Sequence, residues 1–188
     1  DLPKTIKETS DNAGYLQIEM ERQKKNNVKV LILFDIGGSM DPYIEKCSQL
    51  FSSAKSEFKH LEYFYFHNCV YEKLWKDSIR RWDDYEETWS ILNKYNSDYK
   101  VIFVGDASMS PYELHSQYGS VEHYNEETGL DWIERFTDHF EKVVWLNPVS
   151  ENNWGYTATI KTIKKATENK MYPLTVTGIE DAITELRR

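Results

Sequence analysis

Residues 28–39 read VKVLILFDIGGS, and this stretch decides the fold of the protein. Its first seven residues are apolar on both faces apart from Lys29, which is typical of a central strand in a parallel sheet with helices on each side. The strand is predicted to end at Asp35, and the glycines that follow favour a tight turn. The stretch therefore predicts an α/β fold with a polar loop at the carboxyl end of a buried strand.

Strand and helix patterns alternate along the rest of the chain. Alternation of this kind predicts a three-layer α/β/α fold with a mostly parallel central sheet and one antiparallel edge strand. Strands are predicted at 15–20, 61–66, 70–75, 100–105, 143–146 and 171–175, of which 61–66 and 70–75 form a hairpin. Helices are predicted after Asp41-Pro42, at 89–95, from Pro111, at 130–140 with Thr128 as N-cap, at 158–168, and at the end of the chain, where Thr177 and Glu180 have capping-box spacing.

The length and composition favour one compact unit. The chain has 188 residues, of which 40% are hydrophobic and 14% aromatic, so one full hydrophobic core is expected. Residues 1–15 are polar and aperiodic, which indicates a linker or an N-terminal remnant. We therefore expect a single domain over residues 16–188.

The charge and hydropathy patterns limit the choice of partners. The net charge is −8 with acidic residues scattered throughout, so nucleic acid is not an expected partner. No apolar run is long enough to span a membrane, so we expect no membrane partner and a cytoplasmic location. The two cysteines, Cys47 and Cys69, lie in apolar-patterned segments and are interpreted as small buried hydrophobes rather than as a disulfide.

Polar side chains follow three of the predicted buried strands. Asp35, Asp106 and Asn147 each stand at a strand's carboxyl end, where ligands bind in parallel α/β sheets. Two aspartates in such positions are costly to desolvate without a positive group, and a divalent cation held by oxygen ligands fits that need. Ser39 adds a hydroxyl in the same loop, although Asp35 and Ser39 also have structural interpretations as caps of the following turn and helix.

The motif at residues 33–40, LFDIGGSM, resembles the first element of the metal-ion-dependent adhesion site of von Willebrand factor A domains. That element reads Asp-x-Ser-x-Ser, and the family adds a threonine and an aspartate from later loops. Asp106 matches the later aspartate, and Thr88 is the candidate for the threonine, with capping of the 89–95 helix as its alternative role. The resemblance thus implies the metal ligands Asp35, Ser39, Thr88 and Asp106.

Four further segments resemble the bacterial CoxE-like members of that family, namely 38–43, 65–69, the surroundings of Asp106, and 145–148. The resemblance covers most of residues 28–188. It implies a Rossmann-like, non-enzymatic domain that binds Mg²⁺ or Mn²⁺ and presents an open coordination position to an acidic side chain of a protein partner. It also implies an adaptor that works with a MoxR-type AAA+ ATPase in complex assembly or metalloenzyme maturation.

One position departs from the family pattern. Gly37 stands where the first serine of the pattern would offer a hydroxyl to the metal. Water can replace a missing ligand, since Mg²⁺ keeps several waters, but the affinity for the ion is expected to fall.

Three other functions remain open from the sequence. The motif DIGGS also resembles the phosphate-contacting turn of actin-like and sugar-kinase ATPases, which continue into a β-hairpin and need two domains. A metal-dependent hydrolase would use Asp35 and Asp106 as ligands, with Glu113 as the nearest candidate base. A purely structural scaffold would have lost the metal site at Gly37.

Overall fold

A computed structural model describes residues 26–43, 58–79 and 84–188, together with positions 45, 47, 49, 50 and 52. The strand predicted at 15–20 and the polar segment 1–15 lie outside the described residues. Glu45, Cys47, Gln49, Leu50 and Ser52 are helical, in agreement with the helix predicted after Asp41-Pro42.

Besides the helical residues between 45 and 52, seven strands and six α-helices have their bounds in the described part of the chain. The strands are β1 (Asn26–Asp35), β2 (Phe58–Phe66), β3 (Lys73–Trp75), β4 (Tyr85–Glu87), β5 (Lys100–Val104), β6 (Lys142–Asn147) and β7 (Met171–Pro173). The helices are α1 (Thr88–Lys94), α2 (Pro111–His115), α3 (Gly129–His139), α4 (Glu151–Trp154), α5 (Ala158–Ala166) and α6 (Val176–Arg187). A 3-10 helix, Gly38–Tyr43, follows β1.

The strands form one sheet in the order β4-β3-β2-β1-β5-β6-β7. The five strands from β2 to β7 in that order are parallel to their neighbours, whereas β3 pairs antiparallel with both β2 and β4. The predicted mostly parallel sheet with an antiparallel edge is therefore confirmed. The predicted hairpin is present, but its second strand begins at Lys73 rather than at residue 70.

Both faces of β1 are buried, which explains its continuous apolar pattern. Leu31 and Leu33 face a core shared with α1, α2, α3 and α5, and Ile32 and Phe34 face a second core shared with α6. Within the first core the rings of Phe103 and Trp145 stack, with centroids 5.0 Å apart. Helices thus pack on both sides of the sheet, as the α/β/α prediction requires.

Two predicted helix starts differ from the structure. The first helical turn begins at Gly38 rather than after Asp41, because the Met40 amide donates to the Gly37 carbonyl at 2.8 Å. The last helix is capped by Thr175, whose side chain accepts from the Gly178 amide at 3.1 Å, so the predicted Thr177 cap is wrong.

The physical reason for the earlier start of α6 is close packing. A Cβ atom at Gly178 would lie 2.0 Å from the Pro173 carbonyl oxygen, so this helix turn contacts the end of β7 directly. The close contact between Gly178 and Pro173 fixes Gly178 in the first turn of α6 and leaves Thr175 in the capping position.

Across the described residues, no helix is both long enough and apolar enough to cross a membrane.

Candidate functional site

Three polar residues meet at the carboxyl ends of neighbouring strands, as the sequence predicted. Asp35 ends β1, Asp106 lies just after β5, and Asn147 ends β6. Because β1 pairs with β5 and β5 with β6, all in parallel, these ends lie side by side. We call these three residues the carboxyl rim. The aspartates are each only 4% exposed, and Asn147 is fully buried.

The two carboxylate oxygens of Asp35 have different surroundings. Oδ1 accepts hydrogen bonds from the backbone amides of Gly37 and Asn68, both at 2.8 Å. The first of these bonds is the turn-capping role that the sequence suggested. Oδ2 is buried and has no hydrogen-bond partner. A buried charged oxygen without a partner is destabilising, so this atom calls for a proton or a cation.

The electrostatic surroundings of Asp35 are negative. The pKa of its carboxyl group is raised from 3.8 to about 7, mainly by burial and also by the charges of Asp106 and Glu113, against the lowering effect of the two amide hydrogen bonds. The ion pairs formed among the described residues include none of these three acids. The rim therefore has an excess of negative charge that no described basic side chain offsets.

The loop after β5 is held by Asn147. Its amide nitrogen donates to the Asp106 carbonyl oxygen at 2.9 Å, and its Oδ1 accepts from the Val149 amide at 2.9 Å. The Asp106 carboxylate accepts from the Ser108 amide at 2.8 Å. Asn147 thus connects the loop after β5 to the loop after β6 by hydrogen bonds, so its role at the rim is structural.

Glu113 is a member of this group that the sequence indicated only as a candidate base. It is 5% exposed, and its Oε2 accepts from the Ser110 amide at 3.1 Å in the capping box of α2. Its Oε1 accepts from the Asn68 side-chain amide at 2.9 Å. The Ser110-Pro111-x-Glu113 spacing is a signal for the cap, but nothing in the sequence indicates the bond to Asn68.

Ser39 and Thr88 occupy different environments. Ser39 is exposed in the 3-10 helix beside the Gly37 turn. Thr88 is fully buried, and its hydroxyl donates to the Tyr71 carbonyl at 2.5 Å. Glu87, not Thr88, is the N-cap of α1, so the capping interpretation of Thr88 is wrong. The structure thus brings Asp35 and Asp106 together at the carboxyl rim. The Thr88 hydroxyl instead bonds to the main chain of Tyr71, just before β3.

The ligand types at the rim fit a hard divalent cation better than a soft one. No group of three or more His, Cys, Asp or Glu side chains suited to a metal exists among the residues that the structure describes. A cation at Asp35 and Asp106 would therefore need neutral oxygens or water for its remaining positions, which is common for Mg²⁺. The unpartnered Oδ2 of Asp35 is the atom that favours such an ion.

Thiol chemistry has no support at this site. Cys47 and Cys69 are free thiols, as the sequence predicted. Burial raises the pKa of the Cys47 thiol to about 11 and that of the Cys69 thiol still further. Neither sulfur is therefore a reactive thiolate near neutral pH.

No family model, curated protein or solved structure matches this chain. The functional interpretation consequently depends on the geometry of the rim and on the motif resemblance.

Proposed function

We propose that this protein is a non-enzymatic interaction domain that binds an acidic group of a protein partner through a divalent cation at the carboxyl rim. The cation is Mg²⁺ or Mn²⁺. Its proposed ligands are Asp35, Ser39, Thr88 and Asp106. An ion held with open or water-filled positions attracts a carboxylate from outside, which is the chemistry that such a site supplies.

The observation that carries the proposal is the buried, unpartnered Oδ2 of Asp35. A carboxylate in this position, with Asp106 and Glu113 raising its pKa, is stabilised when a cation binds between the acids. Partner binding and ion binding are then coupled, because an acidic side chain would approach a negative rim only when the ion is present.

The partner class comes from the resemblance to CoxE-like proteins. We propose a bacterial, cytoplasmic adaptor that acts with a MoxR-type AAA+ ATPase in complex assembly or metalloenzyme maturation. The net charge of −8 is consistent with a partner other than nucleic acid.

Two structural features weigh against the enzymatic alternatives. Glu113, the nearest candidate base, is 5% exposed, and its two carboxylate oxygens cap α2 and hold the Asn68 side chain, which indicates a structural role. In addition, β1 continues into a 3-10 helix, Gly38–Tyr43, and not into the β-hairpin that actin-like and sugar-kinase phosphate sites have. The interaction domain is therefore the better-supported function.

The test compares the wild type with Asp35→Ala and Asp106→Ala. We expect Mg²⁺ and Mn²⁺ to give a calorimetric signal with the wild type and to strengthen its binding to a purified MoxR-type ATPase. Either substitution should weaken both by about tenfold or more, which corresponds to roughly 1.4 kcal/mol. Asp181→Ala, on the exposed face of α6, is the matched control. Equal binding by folded Asp35→Ala and wild type, or no metal signal from the wild type, contradicts the proposal.

A further inference from the structure

Asn68 lies beside the carboxyl rim because of its position in the turn after β2. Its φ angle is 57°, in the left-handed region that asparagine tolerates better than most residues. Its backbone amide donates to Asp35 Oδ1 at 2.8 Å. The main chain therefore holds this residue against the aspartate whatever its side chain does.

The orientation of the Asn68 carboxamide is fixed by Glu113. The side-chain nitrogen donates to Glu113 Oε1 at 2.9 Å, so the nitrogen faces Glu113. The other oxygen of Glu113 is held by the Ser110 amide. Consequently the carboxamide oxygen of Asn68 faces away from Glu113.

That oxygen occupies the space of a side chain at position 37. A Cβ atom built on Gly37 would lie 2.0 Å from Asn68 Oδ1 and 3.2 Å from Asp35 Oδ1. The backbone of Gly37 is outside the left-handed region, so its conformation does not require glycine. A side chain at position 37 would have to displace the Asn68 oxygen from the volume that it fills, and with it the bond from Asn68 to Glu113.

We infer that the Asn68 side-chain oxygen is a neutral ligand of the cation at the carboxyl rim, in place of a hydroxyl at position 37. The inference rests on the proposed function and adds a ligand to it. Carbonyl oxygens of asparagine are ordinary ligands of hard cations. A rim with fewer than three suitable carboxylates needs neutral oxygens of this kind. Glu113 is then a positioning residue, which orients the carboxamide without touching the ion.

The test replaces the carboxamide oxygen of Asn68 by a hydroxyl oxygen at position 37. Asn68→Gly removes the carboxamide and retains the positive φ angle and the backbone bond to Asp35. Gly37→Ser alone places a side chain against Asn68 Oδ1 and should destabilise the fold. The double variant Gly37→Ser/Asn68→Gly puts a hydroxyl into the vacated volume. Gly38→Ser is the matched control, because a Cβ atom there meets nothing within 4 Å.

The measurements are the Kd for Mg²⁺ and Mn²⁺ by calorimetry and the metal-induced rise in Tm. We expect Asn68→Gly to weaken binding by at least roughly tenfold, because even the loss of a group that only supports a ligand typically weakens metal binding by about 10–100-fold. The double variant should recover most of that loss, which a merely structural role for Asn68 would not produce. Gly38→Ser should bind as the wild type does.

The outcomes separate this inference from the function on which it rests. If the wild type binds neither ion, both are overturned. If the wild type binds and folded Asn68→Gly binds equally well, only the role of Asn68 is overturned. If Asn68→Gly binds weakly and the double variant stays equally weak although folded, the carboxamide oxygen is not replaceable by a hydroxyl at position 37, and the inference fails.

Discussion

Replacement of Asp35 by asparagine is expected to stabilise the metal-free protein at pH 8. The carboxyl group is buried, and its pKa is raised from 3.8 to about 7, so ionisation at pH 8 costs about 4 kcal/mol at roughly 1.4 kcal/mol for each unit. Asparagine has the same shape and no charge, and its oxygen can accept the bonds from Gly37 and Asn68. Its amide nitrogen, however, replaces an oxygen that has no partner, which costs about 1–3 kcal/mol. The net gain should be about 1–3 kcal/mol.

The gain should depend on pH in a defined direction. Because the folded-state pKa of this acid lies above its unfolded value, the native protein binds more protons between about pH 4 and pH 7. The wild type therefore loses stability as the pH rises through that window, and Asp35→Asn does not lose this contribution. At pH 5 the carboxyl group of the folded wild type is mostly protonated, so the advantage of asparagine should disappear.

The assay is urea unfolding of both proteins in EDTA at pH 5 and pH 8, repeated at pH 8 with Mg²⁺. A cation at 100 times the Kd of the wild type would stabilise the wild type by about 2.7 kcal/mol, but a variant with a tenfold weaker Kd by only about 1.4 kcal/mol, so the advantage of Asp35→Asn should shrink. Asp181→Asn should follow the wild type throughout. The reasoning would be refuted if, without metal, Asp35→Asn were less stable than the wild type by the same amount at both pH values.

Two further predictions concern the surroundings of Asp35. Gly105→Ala should destabilise the protein by about 1–3 kcal/mol and weaken Mg²⁺ binding, because the new Cβ atom would lie 2.9 Å from Asp35 Cβ. Thermal unfolding and calorimetry measure the two effects. Gly38→Ala should show neither, because the space around Gly38 is open. Thr88→Val should lower the free energy of unfolding in urea by about 1 kcal/mol, because the hydrogen bond to the Tyr71 carbonyl is lost. If its Kd for Mg²⁺ equals that of the wild type, Thr88 is not a ligand of the ion.

Much of the fold was predictable because its signals are local. The apolar runs of β1, β5 and β6 appear in the sequence as buried strands, and each ends at, or two residues before, the polar residue that the structure places at the rim. The Thr128 cap of α3 was equally readable, since a capping box spans only four residues. By contrast, the start of α6 depends on contact between Gly178 and Pro173, which no helical pattern reveals.

The sequence by itself determined which strands are buried, where they end and which acids follow them, because hydrophobic periodicity and caps act over a few residues. Only the tertiary structure decided what surrounds those acids. Asn68 is 33 residues from Asp35 and 45 from Glu113, and it contacts both because β2 pairs with β1 and carries its turn to the same edge. Gly37 belongs to the same arrangement, because its missing side chain leaves the space that the Asn68 oxygen fills.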